Sequence, residues 1–98
     1  MKNYLISKEA LKDIDTIWLY TLERWSLEQA DRYYNLIMDE IEYISHNSDA
    51  GYDFGNIRKG YQFSKVKSHL IFYKTTDNGK VEIIRILHEK MNIDNYLR

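Results

Sequence analysis

A chain of 98 residues with 44% hydrophobic residues has room for one domain, residues 1–98, around a modest core, and without cysteine it has no disulfide, thiol nucleophile or Cys-ligated zinc site. No apolar run approaches the roughly 20 residues of a membrane helix, and Met1 to Ser7 followed by charges does not read as a signal peptide, so the expected compartment is the cytoplasm. The net charge of −1 hides a segregation: residues 7–46 carry nine acids and four bases, whereas residues 54–76 carry Arg58, Lys59, Lys65, Lys67 and Lys74 and no acid, which suits either a face for an acidic partner or a lysine-guarded sheet edge.

Asn3 to Ile6 is extended in character, and Ser7 is placed to cap the helix that follows. Ala10, Ile14, Ile17, Trp18, Thr21 and Trp25 recur at three- and four-residue spacing, which predicts a helix over Lys8–Trp25. Ser26-Leu27-Glu28-Gln29 is a capping box that ends this helix and starts another with almost no loop, so the two should form an antiparallel hairpin. The second helix is predicted over Leu27–His46, with Ala30, Tyr33, Ile37, Ile41 and Ile44 on its stripe and Tyr34 and Met38 beside it. The tyrosines and tryptophans of both stripes share the apolar face and are expected in the core.

His46 to Asn56 reads as a loop, with Gly51 and Gly55 permitting turns. Strands follow at Ile57–Ser64 and Ser68–Thr75. Asp77-Asn78-Gly79 is a tight-turn signal that hangs the next strand, from Val81, on the one before it. That strand is apolar at both parities: Ile84 and Ile86 on one face, Val81, Ile83 and Leu87 on the other. It is therefore expected to be central and covered on both sides. The tail, Asn92–Arg98, predicts one helical turn with Ile93, Tyr96 and Leu97 packing back. The order β-α-α-β-β-β gives an α+β fold, with the helical hairpin on one face of a mainly antiparallel sheet and the other face left to the basic residues.

This order and several local motifs resemble the ParE-type toxins of the RelE/ParE superfamily, from type II toxin–antitoxin systems. The resemblance runs from Tyr4–Ala10 through Asp13-Ile14, Ile17-Trp18, Trp25, Gln29-Ala30 and Tyr33 to Arg58, Gly60 and Tyr61. It continues in Ser68–Lys74 and is most specific in Ile84-Arg85-Ile86-Leu87-His88, with Met91 and Leu97 beyond. The chain departs from the family pattern in having Asp49-Ala50 and no proline before Gly51, Asn92 where an aspartate is common, and Tyr96 where a histidine often stands.

The resemblance implies a toxin that inhibits DNA gyrase, is not itself an enzyme, serves plasmid stabilisation and is held by a cognate antitoxin of ribbon-helix-helix, ParD-like type in a hetero-oligomer. The alternatives are a RelE-like ribosome-dependent mRNA interferase, or a degenerate toxin that only binds its antitoxin. Cleavage through a 2′-hydroxyl needs a proton carrier and cations near the phosphate. Arg58, Arg85 and His88 are the candidates for a nuclease; otherwise no catalytic residue is expected. Arg85 and His88 lie three positions apart, on opposite faces of an uninterrupted strand. Only a bend or bulge would unite them; otherwise Arg85 pairs with a carboxylate and His88 is structural. Arg58, Lys65, Lys67, Arg85 and Tyr96 are the candidates for antitoxin or target contact. No metal or cofactor is expected, since His46, His69 and His88 show no ligand spacing. Nor is direct recognition of duplex DNA, since the helices are net acidic and the basic segment is no helix-turn-helix.

Overall fold

The computed structural model describes residues 3–55 and 58–97. Its elements are β1 (Tyr4–Ile6), α1 (Lys8–Arg24), α2 (Leu27–His46), β2 (Tyr52–Asp53), β3 (Gln62–Val66), β4 (His69–Thr75) and β5 (Val81–His88), with short 3-10 turns at Ser48–Ala50 and Ile93–Asn95. Ile57, predicted to start a strand, lies outside the described residues, as do Asn56 and Arg98. The third strand starts at Gln62, five residues later than predicted, and the two-residue β2 was read as loop.

Both predicted caps form. Ser7 Oγ accepts from the Ala10 amide at 3.0 Å, and Ser26 Oγ accepts from the Gln29 amide at 3.1 Å. Trp18 Nε1 donates to Asp31 across the helical hairpin at 3.0 Å. The five strands lie in the order β1-β5-β4-β3-β2, with β1 parallel to β5 and the other neighbours antiparallel. The middle strand is thus β4, and not the strand from Val81. Ala10, Ile14 and Ile17 of α1 and Ile37, Ile41 and Ile44 of α2 pack on Val66, Ile71, Tyr73, Val81, Ile83 and Ile86 in the main core. This is an α+β domain with two helices on one face of a mixed sheet.

Three expectations fail for stated reasons. First, the facing of β5 switches partway along. Tyr73 opposes Ile83 but Phe72 opposes Arg85, so Ile84 is an extra residue, a β-bulge. Ile86 therefore joins Val81 and Ile83 beneath the helices, while Ile84 and Leu87 turn to the other face. Second, that other face is not a basic surface. Phe72, Leu87 and Leu97 are buried there, with Phe54, Phe63 and Ile93 among the side chains packed around them. The tail and the chain before β3 fold over it because the sheet has an apolar back to cover. Third, Trp25 is 76% exposed and Tyr34 is also outside the core. Trp25 is the C-cap of α1, at the tip of the hairpin and just past the helix's last turn.

Gly51 has an ordinary extended backbone, φ −76° and ψ 165°. What demands glycine is space: a Cβ there would overlap the hydroxyl of Tyr73, which is fully buried and donates to the Ser48 carbonyl. Gly51→Ala should cost about 2 kcal/mol by overpacking. Urea unfolding checks this, and an unchanged midpoint would mean that the loop stands off Tyr73.

Candidate functional site

Strand β1 is too short to accompany β5 along its length; it pairs with Val81, Glu82 and Ile83 only. Beyond Ile83, side chains of the α1 region take over the edge of β5. Ser7 Oγ donates to the Ile84 carbonyl at 2.7 Å, and the Ile86 amide donates to Asp13 Oδ2 at 2.9 Å. Arg85, pointed away from the helices by the bulge, wraps round this edge. Its Nε and Nη2 each donate to one Asp13 oxygen at 2.8 Å. Asp13 thus accepts three hydrogen bonds, two of them the parallel fork that suits a guanidinium. This bond is also the main cause that raises the Arg85 pKa, so the side chain is a fixed cation. Tyr96 lies over its guanidinium, 5.5 Å from ring centre to Cζ.

Arg58 serves the tail as well. Its Nε donates to the Leu97 carbonyl, anchoring the residue that closes the second cluster. Lys65 is on the outer face, 3.3 Å from Glu89. Lys67 takes φ +55° in the two-residue turn between β3 and β4, a conformation that ordinarily goes to glycine or asparagine. Tyr96 belongs to the Arg85 cluster and not to the groove described next.

That groove, about 720 Å³, opens between the tip of the helical hairpin and the ends of β4 and β5. Trp25, Tyr20 and Leu36 are exposed apolar walls, Arg32 and Lys67 are basic, and Tyr33, His69 and His88 also line it. His69 and His88 are directly opposed in the β4–β5 ladder, their rings edge to face at 5.2 Å. Tyr33 Oη lies 2.6 Å from His69 Nδ1 and 3.1 Å from the Val66 carbonyl, to which it donates. His88 Nδ1 accepts from the Lys90 amide at 3.1 Å. Among the described residues no three potential metal-binding side chains cluster.

Arg85 and His88 are not united by the bulge. It precedes both of them, so it exchanges their faces: Arg85 leaves the helix side and His88 enters it. Arg58 lies with the tail. The partner Asp13 and the paired histidines escaped residue-level reasoning. In the sequence Asp13 stands out only as part of the Asp13-Ile14 motif of the family resemblance, with no partner indicated, and the cross-strand pairing depends on a bulge that no Gly or Pro announces.

Burial, then the neighbouring His88, lowers the His69 pKa to about 4. The imidazole is neutral in the fold but takes up a proton near pH 6.5 when unfolded. The unfolded state therefore binds more protons between these values, and stability present above pH ~6.5 is lost as pH falls towards ~4. His69→Asn should flatten this part of the curve, by about 1 kcal/mol after allowing for solvent screening. Urea unfolding at several pH values reads it. An identical acid profile in the variant would contradict the assignment.

A family model described as the ParE toxin of type II toxin–antitoxin system, parDE, matches residues 4–93. The chain is 39% identical over 97 residues to Toxin ParE1 of Caulobacter vibrioides, covering 99% of both chains, and 33% identical over 94 residues to Toxin ParE1 of Mycobacterium tuberculosis, covering 96% of both. It also resembles a solved chain titled as the chromosomal ParDE TA system from P. aeruginosa, with a TM-score of 0.77 and 14% identity over 90% of this chain and 96% of that one, a likeness of fold. No helix among the described residues is long and apolar enough to cross a membrane.

Proposed function

The chain belongs to the ParE toxin family of type II toxin–antitoxin systems, and on that premise we propose that it is a cytoplasmic inhibitor of DNA gyrase, neutralised by a cognate antitoxin of ParD-like, ribbon-helix-helix type. The observation that carries this over the interferase reading is the separation of the three nuclease candidates. Arg85 is committed to Asp13 and Tyr96, Arg58 to the Leu97 carbonyl, and His88 faces the groove on the other side of the sheet. Cleavage of RNA needs cations and a proton carrier around one phosphate. Here two of the three side chains hold the molecule's own tail and edge. An inhibitor needs no such convergence; it needs surface.

The groove supports the antitoxin half of the reading. Exposed Trp25, Tyr20 and Leu36 beside Arg32 and Lys67 suit an amphipathic segment that is apolar on one side and acidic on the other. Such a segment, disordered alone, folds as it binds. Induced expression in a bacterium, with DNA and protein synthesis followed separately over the first minutes, tests the target. Early arrest of DNA synthesis with an SOS response is expected. Early arrest of translation with cleaved mRNA would overturn the gyrase assignment.

A further inference from the structure

The floor of the groove is polar in a way that an apolar docking surface does not require. His69 and His88 each engage Nδ1 within the protein, with Tyr33 Oη and the Lys90 amide respectively. Neither Nε2 has a hydrogen-bond partner among the described residues, and no buried side-chain nitrogen or oxygen there is left unsatisfied, so both Nε2 atoms reach solvent. Because the two residues are directly opposed across the ladder, the open nitrogens belong to neighbouring rings lining one groove. Lys67 and Arg32 line it too, and neither has an ion-pair partner among the described residues. Lys67 occupies its turn at φ +55°, a backbone cost that glycine would avoid.

We propose that His69 and His88, flanked by Lys67 and Arg32, form a carboxylate-accepting subsite in this groove, and that it takes an acidic side chain of the antitoxin segment together with one proton. The inference rests on the antitoxin reading given above and adds the chemistry of recognition and its pH dependence. The proton count follows from the tautomers. His88 Nδ1 is an acceptor, so its Nε2 carries hydrogen and donates to the incoming carboxylate. We assign the one Tyr33 hydroxyl hydrogen to the Val66 carbonyl; the 2.6 Å contact is then His69 Nδ1–H donating to Tyr33, and His69 Nε2 is a lone pair. A carboxylate beside that lone pair needs a hydrogen between them, and solvent supplies it. The bound state therefore holds one proton more than the separated partners.

The other charges around the pair do not replace this proton. Asp13 of α1 is occupied by Arg85, and Glu89 beyond β5 is paired with Lys65. Tyr33 of α2 is neutral, its hydroxyl pKa raised by burial. Arg32 and Lys67 on the groove wall attract the carboxylate electrostatically, and the histidine pair adds the pH-dependent part.

The test is the dissociation constant of the intact chain and its purified cognate antitoxin, between about pH 8 and about pH 6 at fixed ionic strength. Uptake of one proton tightens binding by up to about tenfold per pH unit as pH falls. Calorimetry in buffers of different ionisation enthalpy should show the uptake directly. His69→Gln, which removes the lone pair that takes the proton, should bind with a flattened pH profile. Binding that is independent of pH, or an equal slope in wild type and His69→Gln, overturns the subsite while leaving antitoxin binding standing. Absence of binding at every pH overturns both. Where the variant does not fold, the wild-type imidazole resonances decide. An upward shift of a groove histidine's titration in the complex supports the subsite, and none overturns it.

Discussion

Asp13→Ala should lower the stability of this domain by about 3 kcal/mol and its melting temperature by roughly 15 °C. The substitution strips Arg85 of both carboxylate bonds and leaves the Ile86 amide without an acceptor at the edge of β5. The side chains of Asp13 and Arg85 are only 13% and 20% exposed, so water replaces little of what is lost. Asp13→Asn, which keeps an acceptor but not the charge, should lose about half as much. The double variant Asp13→Ala/Arg85→Ala should be less damaged than the sum of its parts, because no partly buried guanidinium is then left unpaired. Chemical unfolding of wild type, Asp13→Ala, Arg85→Ala and the double variant measures the coupling. A loss under about 1 kcal/mol for Asp13→Ala would mean that solvent holds this edge as well as the carboxylate does.

Phe72→Ala should cost as much or more, about 3–5 kcal/mol. Phe72 is fully buried on the sheet face away from the helices, with the rings of Phe54 and Phe63 at 5.1 and 5.7 Å and Leu97 in the same cluster. Removing it opens a cavity under both segments that cover this face. The tail should be released with it, so amide exchange at Leu97 should accelerate more than exchange in α2. If the variant is nearly neutral and tail protection is unchanged, the second cluster contributes little and the face is effectively free.

How far the sequence reaches depends on what each feature rests on. The caps, the helical hairpin and the Asp-Asn-Gly turn are local, and each was legible from spacing and side-chain chemistry. The covered back of the sheet was half legible: apolar residues at both parities of the last strand announced it, but Phe54, Phe63 and the tail were not assigned to it. The site was least legible, because one residue decides it. Carried from Thr75 opposite Val81 without interruption, the register would set His69 opposite Leu87 and turn Arg85 under the helices. The bulge at Ile84 moves the register by one. Arg85 goes out to meet Asp13 round the edge, and His88 comes in to meet His69. Nothing local at Ile84 signals this. It follows from packing on both faces at once, with the main core taking Ile86 and the second cluster taking Leu87. Trp25 failed for the opposite reason. Its spacing continues the apolar stripe, but Trp25 is the C-cap, past the last turn of α1, and stays exposed.

The proposal that this chain acts by contact and not by cleavage meets its most direct test with purified gyrase. Supercoiling should fall as the chain is titrated in, level off in proportion to the gyrase present, and recover when the antitoxin is added. RNA on translating ribosomes should remain intact at the same concentrations. Unaffected supercoiling alongside cleaved mRNA would contradict the account and return Arg58, Arg85 and His88 to consideration as catalytic groups.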